Sequence, residues 1–158
     1  MSVLVGIAIS VGVLAGLWGQ FSPAIGLVTW VGFVSWASFY AAGGKAEGLK
    51  LSIAANLSGV VWAFLMVQVA AWLNISPLMG TTIALGAAGM VLQSKIKLLS
   101  FIPGAFMGCS CAFGVGLDIQ AAAFALVAGG LLGFASEYLG IQLSKATSKG
   151  ETPAPEKG

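Results

Sequence analysis

Residues 49–73 read LKLSIAANLSGVVWAFLMVQVAAWL, an apolar run with a single charged residue, Lys50. As an α-helix, about 20 such residues span the ~30 Å hydrocarbon core of a bilayer. The rest of the chain has the same character, since 58% of its 158 residues are hydrophobic and 8% are charged. Soluble domains are about a quarter charged, so most of the surface of this protein must be covered by lipid.

Five further apolar segments resemble this run. They comprise residues 2–19, 23–42, 77–94, 99–115 and 119 to about 142. With residues 49–73 they predict an all-α membrane protein whose transmembrane domain, residues 1–143, has six helices. The fourth and fifth segments are short for a complete crossing. Residues 144–158 are polar and contain two prolines, which predicts a disordered cytoplasmic tail.

All seven basic residues of the chain follow the second, fourth or sixth segment. They are Lys45, Lys50, Lys95, Lys97, Lys145, Lys149 and Lys157. Because cytoplasmic loops are enriched in basic residues, this pattern predicts that both termini lie in the cytoplasm. We interpret the net charge of +2 as an orientation signal that contacts anionic lipid, and not as nucleic-acid binding.

Small residues recur at a distance of 70 positions in the third and sixth segments. The matching sets are Ala55, Gly59, Ala63 and Phe64, and Ala125, Gly129, Gly133 and Phe134. Two halves of three helices each would have opposite orientations, as in transporters with inverted repeats. Chance is the other explanation, because a chain with 23 glycines produces such matches readily.

Five residues in the predicted helices are candidates for lining a narrow pore: Trp36, Ser52, Asn56, Trp62 and Phe106. An unpaired amide is costly inside a bilayer, so Asn56 either bonds to a neighbouring helix or lines a polar path. A neutral amide on such a path suits a neutral solute. The two tryptophans either pack within the bundle or form an aromatic constriction.

Glu137 is the only carboxylate within an apolar segment, near the cytoplasmic end of the sixth. It either reaches the interface or a nearby lysine, or it relays protons or cations. Pro103 and Gly104 weaken the start of the fifth helix, and broken helices can expose carbonyls that coordinate substrate.

Catalytic chemistry is not expected, because the chain has no histidine and no paired carboxylates in its apolar segments. Cys109 and Cys111 are two positions apart, which places them on different helix faces and argues against a disulfide. We therefore predict no enzymatic activity, no cofactor and no metal site.

Four stretches resemble a known family: GVLAGLWG at 12–19, LVTWVGF at 27–33, SGVVWA at 58–63 and LSFIPGAFMG at 99–108. The family is that of small bacterial inner-membrane proteins that includes YcdZ, and it is defined by a domain of unknown function. The resemblance extends over nearly the whole chain, with a looser likeness in the sixth segment. It implies a six-helix inner-membrane protein, and it supplies no substrate or functional residue.

Three functions agree with these features. The leading hypothesis is a homo-oligomeric channel or facilitator in the bacterial inner membrane for a small neutral solute: a urea-like amide, a small alcohol or aldehyde, or a gas. The first alternative is a proton-coupled secondary transporter that uses Glu137. The second is a membrane scaffold or accessory subunit that transports nothing.

Overall fold

The computed structural model describes residues 1–73 and 79–149, and these residues form helices and turns without a β-strand. The six α-helices of this part are α1 (Val3–Phe21), α2 (Thr29–Ala41), α3 (Lys45–Trp72), α4 (Met79–Leu92), α5 (Ile102–Gly114) and α6 (Ile119–Lys149). Short 3₁₀ turns precede α2 and connect α4 to α5; they comprise Pro23–Ile25, Gln93–Lys95 and Lys97–Leu99. The predicted all-α class is confirmed.

Three helices of the described part, α1, α3 and α6, are long and apolar enough to cross a membrane. They have 19, 28 and 31 residues. By contrast, α2 and α5 have 13 residues each, about 20 Å at 1.5 Å per residue. The predicted count of six complete spans is therefore not confirmed.

The second helix begins later than residue 23, the predicted start. Pro23 opens a 3₁₀ turn that ends at Gly26, whose φ of 74° lies in the left-handed region that favours glycine. The Ser22 and Thr29 hydroxyls form a hydrogen bond of 2.6 Å across this turn, and α2 begins at Thr29. A proline that reads as a helix start in the sequence thus starts a separate turn.

The turn after α2 is tight, with φ values of 97° at Gly43 and 67° at Gly44. Because it is so short, α3 begins at Lys45, four residues before the predicted start of the third segment. Lys45 and Lys50 both lie in the first two turns of α3.

The sixth helix continues to Lys149, so residues 144–149 are helical, although we predicted them to belong to a disordered tail. Ser144 explains part of this extension, because its hydroxyl donates a hydrogen bond of 2.9 Å to the carbonyl of Met1. This contact ties the end of α6 to the start of α1. The rest of the predicted tail, residues 150–158, lies outside the described residues.

The long helices α3 and α6 pack against each other at the centre of the bundle. We call α1–α3 the first half of the protein and α4–α6 the second half. Each half docks its short helix on the long helix of the other half, α2 on α6 and α5 on α3. The other two helices follow the same exchange, since α1 packs on α6 and α4 packs on α3, while α2 also contacts α3 within the first half.

Corresponding glycines make both of these docking contacts close. A Cβ on Gly59 of α3 would overlap the carbonyl oxygen of Ala105 in α5. In the same way, a Cβ on Gly129 of α6 would overlap the carbonyl oxygen of Gly32 in α2. Gly59 and Gly129 are 70 positions apart, and their partners Gly32 and Ala105 are 73 positions apart. The two contacts therefore join nearly equivalent positions of the two halves.

The turns after α2 and α5 also have the same hydrogen bonds, shifted by 73 positions. The bonds are Gly43 N to Tyr40 O (3.0 Å) and Gly44 N to Phe39 O (3.1 Å) in one turn, and Gly116 N to Phe113 O (3.0 Å) and Leu117 N to Ala112 O (2.8 Å) in the other. This pair of bonds is the Schellman pattern, a common way for an α-helix to end. The two halves therefore share a local backbone design.

Candidate functional site

A chain of hydrogen bonds connects α2, α3 and α6 in the interior of the bundle. The Ser38 hydroxyl donates to Asn56 Oδ1 at 2.9 Å, and Asn56 Nδ2 donates to the Ser35 hydroxyl at 3.1 Å. Ser35 then donates to the backbone carbonyl of Leu126. We call Ser35, Ser38 and Asn56 the central network; all three side chains are 0% exposed.

The central network lies where four helices meet. Asn56 is about 17 Å along α3 from Lys45, at 1.5 Å per residue, in a helix of about 42 Å. Gly108 of α5 packs so closely on the Asn56 backbone carbonyl that a Cβ would overlap it. The network thus belongs to the contact between α2 and α6 and also to the contact between α3 and α5.

The groups in the central network are neutral, and each hydroxyl or amide serves as donor or acceptor to the next. Among the described residues, no buried side-chain nitrogen or oxygen lacks a hydrogen-bond partner. A solute reaching this network must therefore replace existing bonds with its own, which requires both donors and acceptors.

Ser52, the other predicted polar residue of α3, is fully buried but does not join the central network. Its hydroxyl donates to the Leu49 carbonyl of its own helix at 3.2 Å. Of the two predicted polar residues, the structure therefore places Asn56 in an interhelical network and Ser52 in a bond within its helix.

The three predicted aromatic pore residues have different surroundings. Trp36 is 4% exposed, and its Nε1 donates to the hydroxyl of Ser136 in α6 at 3.1 Å. Trp62 faces α4, where its Nε1 donates to Gln93 Oε1, just past the end of that helix, at 2.9 Å. Phe106 is 41% exposed on α5. Both indoles thus have the interhelical partners expected of packing residues.

Ser136 is a connecting residue that the sequence did not suggest. Tyr40 and Trp36 of α2 both contact its hydroxyl, with a Tyr40 distance of 2.8 Å. The Ser10 hydroxyl of α1 donates to its backbone carbonyl at 2.6 Å. A serine gives little sequence signal because it can also bond within its own helix. In the sequence, only its position next to Glu137 marks Ser136 as a candidate.

Glu137 lies at the beginning of α3, where the first backbone amides have no partner within the helix. Its Oε2 accepts a hydrogen bond of 2.6 Å from the backbone N–H of Lys45. The preceding residue, Gly44, has no side chain that can cap the helix. A carboxylate of the second half therefore caps the long helix of the first half.

Pro103 and Gly104 lie in the first turn of α5, which begins at Ile102. Proline fits there, because the first amides of a helix make no helical hydrogen bond. Gly104 is buried, and a Cβ there would meet the Ala55 side chain of α3 at 2.9 Å. The two residues thus start the helix and bring it close to α3, and do not interrupt it.

An open apolar groove of about 150 Å³ lies between α3 and α4. It is lined by Trp62, Leu65, Met66, Val69, Thr82, Leu85 and Gly86. Its chemistry is opposite to that of the central network, which is polar and closed.

Within residues 1–73 and 79–149, no group of three or more His, Cys, Asp or Glu side chains is arranged to hold a metal ion. Cys109 and Cys111 are buried and do not form a disulfide. Both contribute to the apolar core where α5 meets α3.

These features define a helical bundle with apolar helices of membrane-spanning length. The chain matches the family described as "Protein of unknown function (DUF1097)" over residues 8–141. Because this match covers most of its length, the chain belongs to that family, and the resemblance seen in the sequence is confirmed.

Three relatives cover nearly the full chain. "Uncharacterized protein YahC" of Escherichia coli K12 is 40% identical over 94% of this chain and 98% of its own length. "Inner membrane protein YcdZ" of the same strain is 34% identical over 94% and 93%. The protein of that name from Salmonella typhimurium LT2 is 34% identical over 91% of each chain. No solved structure matches. Two of these names and the apolar helices support a membrane location.

Proposed function

We propose that this chain is a multi-pass protein of the bacterial inner membrane that works as an oligomeric channel or facilitator for a small neutral solute. Urea-like amides, small alcohols or aldehydes and dissolved gases are the solute classes considered. The observation that carries the proposal is the pair of 13-residue helices, α2 and α5, which meet beside the neutral central network.

The arrangement of these short helices supports two inverted three-helix repeats. They occupy corresponding places in the two halves, and each docks on the long helix of the other half. In transporters with inverted repeats, short or interrupted segments at corresponding places point to the substrate site. The central network lies at this place, near the middle of α3.

The proposed topology places both termini and the turn between α2 and α3 in the cytoplasm. The bond between Ser144 and Met1 and the bond between Glu137 and Lys45 bring these regions to one end of the bundle. We call it the lysine-bearing end, since Lys45, Lys145 and Lys149 lie there. Basic residues favour the cytoplasmic side.

The neutrality of the central network supports a neutral solute. An ion entering a buried site without an opposite charge would lose its hydration at a large cost. A small amide or alcohol has donors and acceptors that can replace the bonds among Ser35, Ser38 and Asn56. Accordingly, we propose no enzymatic reaction and no nucleic-acid partner.

Self-association is supported by the open face of α1. At Gly12, Gly16 and Gly19, a Cβ would have no neighbour within 4 Å. Small residues at such spacing let membrane helices approach closely. A second copy of the chain in the bilayer is therefore the proposed partner, alongside lipid.

The proton-coupled transporter ranks second, because the Glu137 carboxylate already has a structural partner in the Lys45 amide. A scaffold or accessory subunit ranks third. It would bind another protein through exposed apolar surface, and purification after mild solubilisation would recover that protein in a fixed ratio.

The test is solute permeability of liposomes that contain the purified protein. Stopped-flow light scattering with urea, acetamide, glycerol and small aldehydes should reveal one solute class that enters faster than it enters empty liposomes. Asn56→Leu should abolish this increase, whereas Ser110→Ala, on the exposed face of α5, should retain it. Equal rates in protein-containing and empty liposomes across the panel would refute the channel.

A further inference from the structure

The turns that follow the two short helices share two backbone hydrogen bonds, but they differ in their φ values and in the group that caps the next helix. In the turn after α2, Gly43, Gly44 and Lys45 have φ values of 97°, 67° and 57°. In the turn after α5, Gly116 and Leu117 have φ values of 69° and 65°. Left-handed backbone is unfavourable for Lys45 and Leu117, so each turn needs contacts that hold it.

The turn after α5 leads into α6, and the cap of α6 is local. Asp118 directly precedes α6. Its Oδ1 accepts a hydrogen bond of 2.9 Å from the backbone N–H of Ala121, in the first turn of α6. This cap does not depend on how the two halves are placed.

The turn after α2 is held by a residue of the second half of the protein. Its cap is the Glu137 carboxylate of α6, 2.6 Å from the Lys45 amide. If α6 moved away from this turn, the start of α3 would lose its partner. The cap at the lysine-bearing end therefore exists only while the two halves are in contact.

Glu137 is also next in sequence to the residue that joins α6 to α2. Ser136 contacts Trp36 and Tyr40, and the same short helix carries Ser35 and Ser38 of the central network. A displacement of α6 that frees Glu137 would therefore also loosen the contact between α2 and α6.

From this arrangement we propose that Glu137 is a latch that closes the lysine-bearing end of the bundle. Releasing its carboxylate from the turn between α2 and α3 opens that end. Access of solute through the opened end rests on the proposed channel function, whereas opening itself does not.

The latch requires an acceptor oxygen and not a change of protonation. Glu137→Gln keeps an oxygen within reach of the Lys45 amide, but Glu137→Leu removes it. A proton-coupled transporter would require the opposite sensitivity, with uptake already lost in Glu137→Gln. The two variants therefore distinguish a latch from a coupling group.

The experiment is hydrogen exchange followed by mass spectrometry on the full chain in lipid nanodiscs. Peptides covering residues 39–48 and 112–122 report on the two turns separately. Asp118→Ala serves as the matched control, because it removes the local cap at the opposite end. Gly44→Ala would place a Cβ 2.7 Å from Glu137 Oε1 but would also strain the backbone at its φ of 67°. Gly43→Ala, which strains the same turn and meets no atom within 4 Å, is its control.

We expect Glu137→Leu to speed exchange in peptide 39–48 about tenfold or more, the effect of losing a hydrogen bond to a charged group. Gly44→Ala should do the same, and more so than Gly43→Ala, while Glu137→Gln, which keeps a neutral acceptor oxygen, should speed exchange less than Glu137→Leu. Asp118→Ala should speed exchange in peptide 112–122 and leave peptide 39–48 unchanged.

Unchanged exchange of peptide 39–48 in both Glu137→Leu and Gly44→Ala would overturn the latch. Equal loosening by Glu137→Gln and Glu137→Leu would overturn it as well. If Glu137→Leu does not fold, Gly44→Ala and Glu137→Gln decide the question. Hydrogen exchange is measured without any solute, so its outcome does not depend on the permeability experiment. A failed permeability experiment would refute the channel but not the latch.

Discussion

The short helices of both halves dock through close glycine contacts, but α2 carries hydroxyl groups at positions where α5 carries glycine and cysteine. Counting 73 positions on, Ser35 and Ser38 of α2 correspond to Gly108 and Cys111 of α5. The two helices nevertheless have equal length and end in turns with the same hydrogen bonds. Close contact between glycine and backbone is common to both docking contacts, and α2 alone adds hydroxyl groups to the central network at these positions.

The largest expected effect tests the close glycine contacts that both docking surfaces share. Gly59→Ala and Gly129→Ala should each cost about 3 kcal/mol or more, because a Cβ would overlap a backbone carbonyl that cannot move freely. Thermal unfolding in detergent should show similar losses for both. Gly80→Ala, on the open face of α4, is the control and should be tolerated.

Tolerance of alanine at one of these two positions but not at the other would contradict the correspondence between the halves. Tolerance at both would mean that the helices can separate without loss of stability.

A smaller expected effect tests the central network, in which the two docking contacts differ. Asn56→Leu should cost about 1 kcal/mol, the usual range for an interhelical hydrogen bond in a membrane protein. Ser38 then lacks its acceptor. Adding Ser35→Ala and Ser38→Ala to Asn56→Leu should recover part of the loss, because no polar group is left without a partner. Urea denaturation of the single and triple variants measures this coupling.

If the triple variant is less stable than Asn56→Leu alone, the three side chains do not act as one network. The comparison between a polar and an apolar docking contact would then have to be abandoned.

The smallest effect separates the two left-handed turns. Lys45→Gly should stabilise the protein by about 1 kcal/mol, because glycine adopts a φ of 57° without strain and the lysine is exposed. Leu117→Gly should give no such gain, since the Leu117 side chain packs against the core. The measurement is the midpoint of thermal unfolding of each variant. An equal gain in both variants would contradict the expected difference between the two turns.

Much of the fold was predictable because its signals are local. The six apolar segments correspond to the six α-helices of the described residues, and the glycines at 59 and 129 were noted as a match 70 positions apart. The length of α2 was not predictable. Gly26 and Gly43 are visible in the sequence, but which glycine adopts a positive φ depends on contacts made after folding.

The candidate site was predicted in part. Asn56 stands out in the sequence because an amide inside a membrane must find a partner. The identity of its partners did not follow, since helices that are apolar all round do not reveal which face is buried. Ser136 gave little signal beyond its position beside Glu137, and the Lys45 amide gave none, because serine and backbone are ordinary in any helix.

The sequence by itself determined that this is an α-helical membrane-type protein of a known family, with its basic residues grouped after every second segment. These properties depend on composition and on short-range patterns, which act before the chain folds. Only the tertiary structure decided that α2 and α5 dock on the opposite halves, and that Asn56 and Glu137 find their partners on other helices. Those contacts join residues far apart in the chain, and they depend on how close two backbones can approach.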